Sequence, residues 1–242
     1  MSGQLRAELF KQRSTQTTLF LFLAMFGLVA LASALHVFAP SASDLASRNH
    51  QLEVFEVGTR VGMLFAGLVG ALAITAEIRY GTIRPTFLVT PRRGPVLAAK
   101  LAVSALAGVI FGLVAEALMA GMTTVALAAR GIDNQLGGGD YLQLLAGGAA
   151  AAALWATIGL GVGSLVRDQV GTLVGLCAWI LLIENLLLFV PGVARYAPGA
   201  SGLALAGRPG EAPAAVGSLL LVLYAAGASA AGWLATLRRD VA

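Results

Sequence analysis

Apolar residues along this chain fall in long unbroken runs, not in short alternating stretches. The runs cover 19–39, 57–76, 94–129, 141–166, 169–190 and 214–237. A helix needs about 20 mostly apolar residues to cross the hydrocarbon of a bilayer. Each run meets that length, and the polar segments between them are too short for a soluble domain, which takes roughly 50 residues or more. The pattern predicts an all-α integral membrane protein of six transmembrane helices in one domain, 1–242. The leader 1–16 is polar and mixed in charge, with Leu5 and Leu9 one turn apart and Glu8 within reach of Lys11 or Gln12, so a short interfacial helix is expected there. The segment 191–213 carries Pro198, Pro209 and Pro213 with some apolar residues, and is expected to be an outer loop that dips back into the membrane edge.

The first run follows a basic leader and contains Ala32-Ser33-Ala34, as a cleaved signal would, but its length and the runs behind it favour a retained anchor. Only 12% of the residues are charged and 58% are hydrophobic, where a soluble domain carries roughly 25% charged. Thirty glycines suit closely approaching transmembrane helices. A net charge of +4 does not indicate nucleic acid, because the basic residues sit at the ends of apolar runs. With both termini in the cytoplasm, the inner segments hold Arg6, Lys11, Arg13, Arg79, Arg84, Arg92, Arg93, Lys100, Arg167, Arg238 and Arg239. The outer segments then hold Arg48, Arg60, Arg130, Arg195 and Arg208. This bias is the positive-inside pattern.

One connector differs from the others. Residues 77–100 read EIRYGTIRPTFLVTPRRGPVLAAK, dense in basic groups with no acid after Glu77. Gly81 can break the helix leaving the membrane. Thr82 can cap a new short helix with Pro85 in its first turn, and Thr90-Pro91 ends it near Val89. Ile83 and Phe87 then share a face. A rigid two-turn helix across the membrane exit, flanked by Arg92 and Arg93, is suited to being gripped by another protein. The bland reading of Arg84, Arg92 and Arg93 is binding to anionic lipid headgroups.

The run Glu77-x-x-x-Gly81-Thr82-Ile83-Arg84-Pro85-Thr86, then Leu88-Val89-Thr90-Pro91-Arg92-Arg93-Gly94 and Ala98-Ala99-Lys100, resembles ABC-2 type transporter permeases, the membrane subunits of bacterial exporters of actinobacterial style. Ala7-Glu8-Leu9 with Lys11 and Arg13-Ser14-Thr15 before the first run, and Arg195-Tyr196-Ala197-Pro198-Gly199, are similar to that family too. The resemblance implies that the loop forms a coupling helix docked on a cytoplasmic ATPase subunit, with two ATPases and two permease chains, a homodimer here, in a bacterial cytoplasmic membrane. It makes Glu77, Gly81, Thr82, Ile83, Arg84, Pro85, Thr86, Phe87, Pro91, Arg92 and Arg93 the coupling residues. ATP and Mg would bind on the partner ATPase, and the cargo exported would be a drug, a peptide or a lipid.

The residues themselves point away from an enzyme. A phosphate-cradling loop needs a lysine in a glycine-rich turn, and neither Lys11 nor Lys100 sits in one. His36 and His50 lie near or in the first outer loop, and the lone Cys177 sits in an apolar run, so no metal site is expected. Gly159-x-Gly161-x-Gly163 reads as a helix-packing face. Arg60, Glu116 and Glu184 fall within or near spans, where a charge at the bilayer centre costs about 3 kcal/mol. They are candidates for pairing between spans or for a substrate pathway. Two other readings remain open at this point: an ion-coupled secondary transporter using Glu116 or Glu184, and a non-transporting immunity or sensor subunit.

Overall fold

In the computed structural model residues 2–89, 93–190, 192–208 and 212–238 are described; Pro91 and Arg92 lie outside them, as do the side chains of Arg84 and Phe87. The chain runs through helices α1 (Ser2–Ser14), α2 (Gln16–Phe38), α3 (Ala42–Leu45), α4 (Arg48–Phe55), α5 (Val57–Arg79), α6 (Ile83–Val89) and α7 (Arg93–Ala129). It continues with α8 (Gly138–Val166), α9 (Gln169–Ala178), a π-helical turn (Trp179–Ile183), α10 (Glu184–Leu187), a 3-10 turn (Ala194–Tyr196), α11 (Pro198–Leu205) and α12 (Ala214–Arg238). Six of these stretches are long and apolar enough to span a bilayer, which makes this a multi-pass membrane protein.

The bundle is organised around α5 and α8, the two most buried spans, with α7 packed on both. Their close approach depends on small residues. A Cβ added at Gly70 would collide with the Ala156 carbonyl, and one added at Gly159 with the Gly67 carbonyl, so α5 and α8 touch backbone to backbone. Gly163 faces Ile74 and Thr75 on the same side, whereas Gly161 faces Ala228 on α12. The glycine run of α8 therefore serves two packing faces. Helices α2, α9 and α12 form the outer wall and expose most of their apolar side chains.

The polar connector between the first two spans is largely helical. Residues 40–56 form α3 and α4, capped by Ser41 and Ser47. Gln51, fully buried, donates to the carbonyls of Leu45 and Asp133 (both 2.9 Å) and accepts from the Gln135 amide (2.8 Å). Arg48 pairs with Asp140 at the start of α8. Arg130 donates to the Val37 and Pro40 carbonyls. A buried amide and two arginines thus staple the loops at this end to one another.

Two features depart from the sequence expectation. The run 169–190 is not a uniform helix, since a π turn interrupts it before Glu184. Such insertions often mark functional positions. The 191–213 segment carries α11, whose Gly199, Ser201, Gly202, Leu203 and Ala204 are buried against α8 and α12.

Candidate functional site

The helix α6 forms where the pattern placed it. Gly81 adopts φ +70 and its amide donates to the Ile78 carbonyl (3.3 Å), which ends α5 in a sharp left-handed turn. The Thr86 hydroxyl donates to the Thr82 carbonyl (3.0 Å). Ile83, 4% exposed, anchors the short helix in a satellite apolar cluster with Ile74, Leu97 and Leu160. Leu88 and Tyr80 point outward at 81% and 71% exposure. One face is thereby fixed to the bundle and another offered to solvent. Arg93, expected as a charged flank, donates to the Thr236 carbonyl at the end of α12 (3.0 Å).

Behind α6 lies a buried ionic cluster. Glu77 Oε1, on the last turn of α5, accepts from Lys11 Nζ (2.8 Å) and from Lys100 Nζ (2.7 Å). Lys100 also donates to Glu8 Oε2 (2.8 Å) and to the Ala73 carbonyl (3.1 Å), which employs all three ammonium hydrogens. Glu8 completes the ring by accepting from Lys11 (2.8 Å). Lys100 is 1% exposed and Glu8 6%, so these charges are compensated inside the protein and not by water. Partial burial draws the Lys11 ammonium down, but its hydrogen bonds to Glu77 and Glu8 outweigh that and hold its pKa above the ordinary 10.5.

Three elements distant in sequence, α1, α5 and α7, are thus bound at one point next to α6. The terminal helix α1 is docked by charge: its buried residue is Glu8, while Leu9 and Phe10 are exposed. The Glu8–Lys11 pair is the one that their spacing in the sequence suggests. A cavity of about 460 Å³ opens beside the cluster between α1, the start of α2 and the end of α5, lined by Lys11, Thr15, Thr18, Leu72, Glu77 and Tyr80 among others.

The remaining site candidates are dispersed. Glu116, 1% exposed on α7, accepts from the Thr59 hydroxyl of α5, with Gly58 and Gly148 leaving room for its carboxylate. Arg60 approaches Glu56, the residue just before α5 (4.0 Å), and Glu56 also pairs with Arg208 (3.2 Å). Glu184 Oε1 accepts from the Trp179 indole (2.8 Å) and from the Gly199 amide in the first turn of α11 (2.7 Å). Arg60 and Glu184 line one cleft of about 420 Å³ with Arg195 and Arg208. Glu116 stands apart from it.

Sequence reasoning named Glu77 as an anchor but not Lys100 and Lys11 as what it is anchored to. The signal was present, since Lys100 is a cation inside an apolar run and requires a counter-charge. No family model matches the chain, and no curated protein matches it.

Proposed function

We propose that this chain is the permease subunit of an ATP-driven exporter in a bacterial cytoplasmic membrane, driven by a separate ATPase that docks on α6. The observation that carries the reading is the construction at the end of α5. A short helix with one exposed face is set on a left-handed glycine turn, and its base is tied to α1, α5 and α7 by three buried charges, Glu8, Glu77 and Lys100, with the part-exposed Lys11 beside them. A partner pulling on α6 would move three elements together, because Lys100 of α7 bonds directly to Glu8 of α1 and to Glu77 and the Ala73 carbonyl of α5. The excess of basic residues at this end supports its cytoplasmic placement, and with it both termini. The sequence has no phosphate-binding loop, so ATP and Mg belong to the partner. Two ATPases and a second copy of this chain would complete the assembly, and the cargo would be a drug, peptide or lipid.

The test is gentle purification of the tagged chain from its native membrane, with mass spectrometry of the proteins retained. An ATPase carrying a phosphate-binding loop is expected with the native sequence. It should be lost with Leu88→Asp, which alters an exposed position, and with Gly81→Pro, which removes a bonded amide and cannot reach φ +70. Retention of the ATPase by both correctly inserted variants would remove α6 from the mechanism.

A second reading keeps one observation of its own. Glu116 sits deep in the bundle with a hydroxyl partner, an arrangement suited to the carboxylate of an ion-coupled carrier. Transport that persists without ATP but collapses with the ion gradient would favour it.

A further inference from the structure

A separate cavity of about 530 Å³ lies on the flank of the bundle between α8, α9 with its π turn, and α12, capped by Pro198. Its floor is Trp155, Ile158 and Leu176, all buried, and its rim is Trp179, Leu223 and Tyr224, all at least about a third exposed. The rim opens sideways, through spans that face the hydrocarbon. At the α11 end the polar tips are already bound: the Trp179 indole donates to Glu184, and the Tyr224 hydroxyl donates to the Tyr196 carbonyl (3.1 Å). At the floor only the Trp155 indole N–H is left over, buried without a partner among the described residues, one donor where water needs two to four partners to stay in a cavity.

We propose that this crevice is a binding site for a single acyl chain of a membrane lipid, inserted between α9 and α12 down to Trp155. An empty slot would leave its lining atoms without contacts on one side, and in the hydrocarbon layer the surrounding solvent is acyl chain. A volume in the range of drug-sized pockets, about 300–1,000 Å³, suits one flexible chain. A second protein copy does not fit the slot. Eleven residues line it, whereas a stable protein interface takes about 20–30 residues a side. Two glycines keep the slot open, since a Cβ at Gly175 or at Gly227 would meet nothing within 4 Å. The structure therefore permits the slot to be filled from within without a clash at either Cβ.

Trp155 reports on occupancy directly, because at 1% exposure it is shielded from bulk lipid except through the crevice. The chain has three tryptophans, so Trp179→Phe with Trp233→Phe leaves Trp155 as the sole indole. This variant is reconstituted in phosphatidylcholine vesicles with ordinary or mid-chain-dibrominated acyl chains, since bromine quenches indole emission at near contact. The expected result is a loss of Trp155 emission in the brominated vesicles, and recovery of that emission when Gly175→Leu or Gly227→Leu fills the slot. Emission that is unquenched in the open chain would overturn the proposal, as it would mean a closed void or a protein occupant. Equal quenching in the open and both filled chains would overturn it too, as bulk lipid would then be the quencher. Far-ultraviolet circular dichroism on each variant separates misfolding from an unfilled site.

Discussion

Helices α5 and α7 are joined by two buried carboxylates at different heights, and the two joints are built differently. Near α6, Glu77 of α5 meets Lys100 of α7, and α1 brings Glu8 and Lys11 to the same point. Sixteen positions further along α7, roughly 24 Å by helical rise, Glu116 meets only the hydroxyl of Thr59 on α5 among the described residues. The first joint balances two carboxylates with two ammoniums and fixes three elements. The second balances nothing and is accommodated by glycines at positions 58 and 148. A buried charge that has lost its partner costs far more than one replaced by a neutral isostere. The two joints should therefore respond to mutation with losses of very different size.

The largest effect is expected at Lys100. Lys100→Met leaves Glu8 and Glu77 with Lys11 as their only shared cation and should destabilise the protein by about 3–5 kcal/mol, the usual cost of breaking a buried pair. The thermal unfolding midpoint in detergent reads it. Adding Glu77→Met restores one carboxylate to one ammonium, Glu8 with Lys11, and should return part of the loss. That non-additivity is the signature of a network. Independent, additive losses would mean that the charges are neighbours without being a unit.

Glu116→Gln should be mild by comparison, below about 1 kcal/mol, because the amide oxygen still accepts from Thr59 and no cation is left behind. The same variant separates the two functional readings. Under ATP-coupled export, transport assayed in vesicles should continue. If transport fails while the melting midpoint holds, the deep carboxylate is a working group and the ion-coupled carrier is the better account.

These contrasts also explain what could be read in advance. Six spans and the site of α6 were legible because they follow from run length and from Gly81, Pro85 and Pro91, all local signals. The identity of Glu116 as an inward carboxylate was legible from the cost of charge in an apolar run. What holds α1 was legible only in part: the Glu8–Lys11 pair follows from local spacing, whereas the contact that joins residues 8, 77 and 100 across the fold does not. Hydrophobic periodicity does not encode ion pairing between distant segments. The π turn at Trp179–Ile183 was equally hidden, as its residues WILLI would suit an ordinary helix. Only the bonds from Trp179 and Gly199 to Glu184 show what it aims.

The smallest effect is expected at Lys11, and it tests whether α1 is docked by the whole cluster or by Glu8 and Lys100 alone. The Lys11 side chain is 42% exposed, so its pairs should resemble surface ion pairs of roughly 0–1 kcal/mol. Lys11→Met should therefore cost less than 1 kcal/mol at neutral pH by the same measure. Its pH dependence carries the information. The folded pKa of Lys11 lies above the 10.5 of the free side chain. A raised cation contributes stability that is fully present below the unfolded pKa and lost as pH rises through the folded one. The stability gap between native chain and Lys11→Met should hence hold steady from neutral pH up to about 10.5 and close above it. A gap that widened with pH would mean that burial, not the two carboxylates, governs Lys11. The docking of α1 would then rest on the Glu8–Lys100 pair, and Glu8→Gln would become the variant that releases the helix.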